Sequence, residues 1–106
     1  MDENPLKITA TEYGQVITCP EYFDIGVVSD VRESFRQIVD GKPGSITLDT
    51  ENTEIVDTAA MQLLVALVND AKNNGINVSY QGENDCLCKA ATALGLVQHL
   101  GLECDQ

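Results

Sequence analysis

A chain of 106 residues is one domain in length and can bury a core without metal or disulfide staples. Its hydrophobic fraction of 43% and charged fraction of 22% are those of ordinary globular proteins, which excludes disorder of the whole chain. The net charge of −11, from 17 acidic and 6 basic residues, argues against nucleic acid or an anionic membrane surface as a partner, since both require clustered Lys and Arg.

Residues 1–5 are polar and are expected to be flexible. Leu6 to Thr11 alternates in the manner of a strand, Tyr13-Gly14 offers a turn, and Gln15 to Cys19 is a second short strand stopped by Pro20. These form an opening hairpin. Ser29 or Asp30 is placed to cap a helix whose apolar face is Val31, Phe35, Ile38 and Val39, and Gly41-Lys42-Pro43-Gly44 ends it. Ser45 to Asp49 reads as a central strand and Thr50 to Glu54 as a polar loop, after which Ile55-Val56 returns to the core.

Asp57 or Thr58 caps the strongest helix of the chain. Met61, Leu64, Val65, Val68 and Ala71 mark its inner face, Leu63 and Leu67 widen it, and Asn73-Asn74-Gly75 stops it. Ile76 to Tyr80 is the next strand. Asn84 or Asp85 caps a last long helix with Leu87, Ala90, Ala91 and Leu94 inward, and Leu96 to Leu102 is a helical turn packed back on the sheet. The helical crossover makes Ser45–Asp49 and Ile76–Tyr80 parallel. The fold class is therefore α/β: a single domain over residues 1–106, with a mixed four- to five-stranded sheet, an N-terminal hairpin and three to four covering helices.

Catalysis finds little support in these residues. The single histidine, His99, lies in an apolar tail with no nucleophile motif near it, and no phosphate-cradling glycine loop or nucleophile elbow is present. Asp49 ends a central strand, as the acceptor of a phosphoreceiver domain does, but Cys19-Pro20-Glu21 lacks the acidic pair such a domain needs and no Lys follows Tyr80 at the right place. No enzyme, cofactor or metal site is expected. The four cysteines, Cys19, Cys86, Cys88 and Cys104, fit neither a zinc site nor a redox CxxC. They are read as small buried or half-buried thiols in a reducing cytoplasm, with Cys86 and Cys88 at a helix start where thiol pKa values fall. No apolar leader precedes the first strand, and the apolar run Met61–Val68 is too short for membrane insertion.

The stretch Ile55-Val56-Asp57-Thr58-Ala59-Ala60-Met61 carries the functional argument. Thr58 falls where the free N–H groups of a helix start and the positive end of its dipole converge, so a phosphate there would be held and would add about −1.5 to −2 charges. A plain N-cap, worth about 1 kcal/mol, is the alternative meaning of the same two residues.

Thr47-Leu48-Asp49, then Glu54 to Leu64, then Ala71 to Val78 resembles the STAS domain, and Ala93-Leu94-Gly95-Leu96 resembles that family's region near the last helix. The likeness runs from about Gln15 to Leu102. It implies a regulatory module like the anti-sigma-factor antagonists, in which the Ser or Thr after the Asp is a kinase target; that position falls on Thr58. The implied cycle is partner switching, in which the unmodified protein binds the anti-sigma kinase and the phosphorylated one is released. The family's usual pair after the acceptor is replaced by Ala59-Ala60, which stiffens the turn.

Similarity also extends to stand-alone STAS proteins encoded beside bacterial chemotaxis genes and to the STAS subunit of the bacterial phospholipid-transport ABC complex. The expected partner is thus a protein: an anti-sigma-type kinase, a chemotaxis kinase or an ABC ATPase. A homodimer is compatible with the chain. The expected docking residues are Asp57, Thr58, Ala59 and Ala60 with Asp24 and Asn52 of the neighbouring loops. Tyr22 and Phe23 are candidate contact aromatics, with a core role as the alternative.

Overall fold

The computed structural model describes residues 7–12, 14–82, 85–102 and 104. Its main sheet has four strands, β1 (Lys7–Ala10), β2 (Gln15–Thr18), β4 (Ser45–Asp49) and β6 (Asn77–Gln81), in the order β1-β2-β4-β6. β1 and β2 are antiparallel, and β2, β4 and β6 are mutually parallel. Two two-residue strands, β3 (Tyr22–Phe23) and β5 (Ile55–Val56), pair in parallel beside it. Helices α1 (Val28–Asp40), α2 (Thr58–Asn73), α3 (Asp85–Leu94) and α4 (Val97–Leu100) complete the α/β fold expected from the sequence.

The crossovers β2-α1-β4 and β4-α2-β6 step the same way across the sheet. Right-handed connections therefore place α1 and α2 on one face. The strands record this one-sidedness. In β4, Ile46 and Leu48 are fully buried while Ser45, Thr47 and Asp49 are half-covered, and on the outer face the hydroxyls of Thr47 and Ser79 lie 3.2 Å apart. Parallel strands covered on both faces read as unbroken apolar runs; these alternate because only one face meets the helices.

Several boundaries differ from the sequence expectation, each for a local reason. Helix α1 begins at Val28, ahead of Ser29 and Asp30, and its N-cap Val27 makes no side-chain cap bond. The preceding turn is closed instead by Asp24, whose carboxylate accepts from Gly26 N–H at 2.9 Å and whose carbonyl accepts from Val27 N–H at 3.0 Å. At the other end the left-handed residue is Lys42 and not a glycine. Val65 is half-buried and packs against the margin of the core, whereas Leu94 is 42% exposed and leaves the core assigned to it. The proposed turn residue Tyr13, the alternative cap Asn84 and residues 1–5, for which flexibility was expected, lie outside the described residues. Gly14 is required where it stands: a Cβ there would overlap the carbonyl of Ser45.

Helix α2 is the centre of the core. Ala60, Met61, Leu63, Leu64, Leu67, Val68 and Ala71 are buried, the larger ones each contributing roughly 1.5–3 kcal/mol. Gly75, at φ +72°, lets the chain turn out of the helix, with Ile76 N–H bonded to Ala71 O at 2.8 Å. The C-terminal segment does pack back on the sheet: Leu100 is buried, and the hydroxyl of Tyr80 donates to its carbonyl at 2.6 Å.

The cysteines correct one expectation. Cys19 and Cys86 are thiols, but Cys88 and Cys104 form a disulfide, because the turn from α3 through α4 brings their Cα atoms to 5.8 Å. That turn could not be read from their spacing. No described helix is long and apolar enough to cross a membrane.

Candidate functional site

Thr58 is the first residue of α2 and is exposed. It stands at the end of the sheet where β4 and β5 finish and α2 begins, the end at which open α/β sheets hold their ligands. Asp57, just before it, is the N-cap. Its carboxylate works in two directions: Oδ1 accepts from Ala60 N–H at 2.9 Å and Oδ2 from Ile25 N–H at 2.8 Å. The cap role offered by the sequence is therefore held by Asp57, which leaves the Thr58 side chain to solvent. The first intrahelical bond runs from Met61 N–H to Asp57 O at 3.0 Å. The N–H groups of Thr58 and Ala59 precede any intrahelical acceptor and lie at the positive pole of the longest helix.

The loops come to the same place through backbone bonds. Glu54 N–H and Ile55 N–H both reach Glu21 O, at 2.7 and 3.2 Å, and Asp57 N–H reaches Phe23 O at 3.2 Å. Thr53 is buried and its hydroxyl donates to Pro20 O at 2.9 Å, which pins the polar loop under the strand end. The Thr53 N–H to Thr50 O bond, 3.1 Å, closes the turn that carries exposed Asn52. Asp24, through the bonds described above, shapes the loop leading to α1. Asp24, Asn52, Asp57, Thr58 and half-buried Ala59 are thus gathered at one end of the molecule. Ala60 is fully buried and supports that surface from beneath.

The two candidate aromatics divide. Phe23 is fully buried, whereas Tyr22 is 52% exposed. The sequence reading returned Ile55 with Val56 to the core, but Ile55 is 49% exposed, and it did not single out Ile25, 76% exposed; a two-residue strand has no periodicity from which to tell an outward Ile from an inward one. On the other side of Thr58 lies an open groove. Thr58, Gln62 and Val65, spaced along one edge of α2, face Leu94 and Leu96 at the α3–α4 turn. Leu94 lies here instead of in the core, and Val65 spans the two.

Charge at this end is one-sided. Glu21 and Glu54 lie side by side, and sharing of a proton with Glu21, followed by Glu21's negative charge, raises Glu54 above the usual carboxylate range. The Tyr22 phenol is pushed up, first by the charge of Glu21 and then by a hydrogen bond to it. Elsewhere, burial with the nearby charge of Asp49 raises the Cys19 thiol to about 12, so it is not a nucleophile. Cys86 Sγ donates to Glu54 O at 3.1 Å and lies at the margin of the site. His99 is exposed on α4. Among the described residues no three His, Cys, Asp or Glu side chains are grouped as a metal site would be.

Among solved structures, an anti-sigma factor antagonist from Mycobacterium paratuberculosis superposes with a TM-score of 0.77 at 15% identity, over 94% of this chain and 85% of that one. The phosphorylated form of the Bacillus cell fate determinant SpoIIAA gives 0.71 at 15% identity, over 91% and 85%. A sulfate transporter family protein from Wolinella succinogenes gives 0.71 at 18% identity, over 88% and 75%. At these identities the likeness is one of fold. No curated protein sequence matches. The family model described as STAS domain matches residues 7–99, nearly the whole of the chain, and the chain belongs to the STAS domain family.

Proposed function

We propose that this chain is a non-catalytic regulatory module that binds protein partners through the Thr58 end of the molecule, with Thr58 as phosphoacceptor in a partner-switching pathway of sigma-factor or chemotaxis type. In this reading the whole chain, residues 1–106, is the working unit, and it acts in the cytoplasm. The buried Leu100 and its bond from Tyr80 hold α4 beside the Cys88–Cys104 disulfide. The docking surface comprises Asp24, Asn52, Asp57, Thr58 and Ala59, with Ala60 beneath.

The observation that carries this reading is the division of labour between Asp57 and Thr58. Because the carboxylate of Asp57 makes the cap, the Thr58 hydroxyl is exposed beside the N–H groups that would receive a phosphate. The phosphorylated SpoIIAA structure supports it as a protein of the same fold that carries this modification. The test is incubation with an anti-sigma-type or chemotaxis kinase and ATP. A mass gain of one phosphate is expected, abolished in Thr58→Ala. Partner affinity is expected to persist in Thr58→Ala and to fall in Thr58→Glu; equal affinity of wild type and both variants rejects the switch.

A second reading is favoured by Ala59-Ala60, which makes a stiff helical start with Ala60 already fully buried. It is a constitutive subunit of an ABC-type phospholipid transporter that binds its ATPase without modification. Co-purification with an ATPase, with only the unphosphorylated mass present, distinguishes it.

A further inference from the structure

The end of the molecule that carries Thr58 also carries its most exposed large apolar side chains. Tyr22 and Ile55 are register partners in the β3–β5 ladder, and both turn outward while Phe23 turns in. Ile25 joins them through the backbone, since Asp57, two residues past Ile55, fixes its N–H. A single exposed isoleucine is ordinary; three exposed apolar residues brought to one end by strand register and by a carboxylate that fixes the backbone of the third form a patch.

The rim of this patch has one sign. Residues 19–27 and 49–60 contain Glu21, Asp24, Asp49, Glu51, Glu54 and Asp57, and no Lys, Arg or His. Glu21 and Glu54 are neighbours across the ladder, the N–H of Glu54 donating to Glu21 O at 2.7 Å. Such a rim repels nucleic acid and anionic membranes, and it also repels a second copy of itself.

We infer that Tyr22, Ile25 and Ile55 are the apolar anchor by which this chain docks on a protein whose matching surface is an apolar recess bordered by lysines and arginines. This deepens the docking function proposed above and rests on it for the nature of the partner. It also sets the sense of regulation. Charge alone would make a phosphate on Thr58 strengthen a basic partner's hold. A phosphate on Thr58 stands beside the Asp57 carboxylate instead, and repulsion between the two charges displaces the oxygen that holds the Ile25 N–H, so the anchor loses its fixed third member.

Two synthetic helical peptides test the anchor by calorimetry at physiological salt: one of leucine and lysine in amphipathic register, and one of the same charge with serine for leucine. The leucine peptide should bind wild type about tenfold more tightly than the serine peptide, the contribution of one good apolar hot spot. In Ile25→Ser/Ile55→Ser that advantage should vanish. In Ile8→Ser, which removes an exposed isoleucine from edge strand β1, it should remain. All substituted positions are exposed, and circular dichroism checks the fold. Equal binding of the two peptides to wild type, or an undiminished advantage in the double variant, overturns the inference. The assay uses no kinase, so failure of Thr58 to accept phosphate in the experiment above would leave this result intact.

Discussion

The two sides of the β3–β5 ladder treat similar side chains in opposite ways. Phe23, facing in, is fully buried against a core that includes Met61 and Leu64, while Tyr22 and Ile55, one residue earlier on each strand, stand in water among carboxylates. Helix α2 repeats the contrast: its inner face is sealed, yet Val65 is left half-open to a groove beside Thr58. Burial, not composition, separates what holds this molecule together from what it can offer another.

The sharpest way to break the comparison is to damage the sealed side. Leu64→Ala is expected to cost about 2–5 kcal/mol in chemical denaturation, the range for opening a cavity at a fully buried leucine. A cost below 1 kcal/mol would mean the α2 core collapses to fill the space. Next comes the buried thiol. Cys19 titrates near 9.0 when unfolded and at about 12 when folded. Its stabilising contribution is intact below the lower value and is lost as pH rises toward the upper one, by about 1.4 kcal/mol per pH unit. Cys19→Ala should therefore show a shallower decline of stability above pH 9; identical slopes would remove burial of the thiol as the cause.

Smallest is the residue that joins the two sides. Asp57→Ala should destabilise by about 1 kcal/mol, as loss of an N-cap does, and should speed amide exchange at Ile25 and Ala60 together. Faster exchange at Ala60 alone would show that the loop is held by other means.

Much of this was legible in the sequence because the long elements carry strong patterns. Helix α2 is announced by its apolar spacing and its Asn-Asn-Gly stop, and the placement of β4 and β6 follows from the crossover between them. The α/β class and the position of Thr58 at a helix start follow from these. What escaped lies where tertiary contacts decide. The β3–β5 pairing rests on two residues per strand, and Asp24 starts α1 two or three residues early through one side-chain and one backbone bond that no spacing encodes. Val65 and Leu94 satisfy a helical apolar face on paper, yet the α3–α4 turn leaves them at a groove. Cys88 and Cys104 meet only because that same turn reverses the chain.

The one-sided sheet has a consequence for motion. β1 sits at the edge with all four residues exposed, tied to the rest only along β2, whereas β4 is laddered on both sides and buries Ile46 and Leu48. Thermal opening should therefore peel the molecule from β1 inward, leaving β4 and the docking end rooted in it as the last region to come apart.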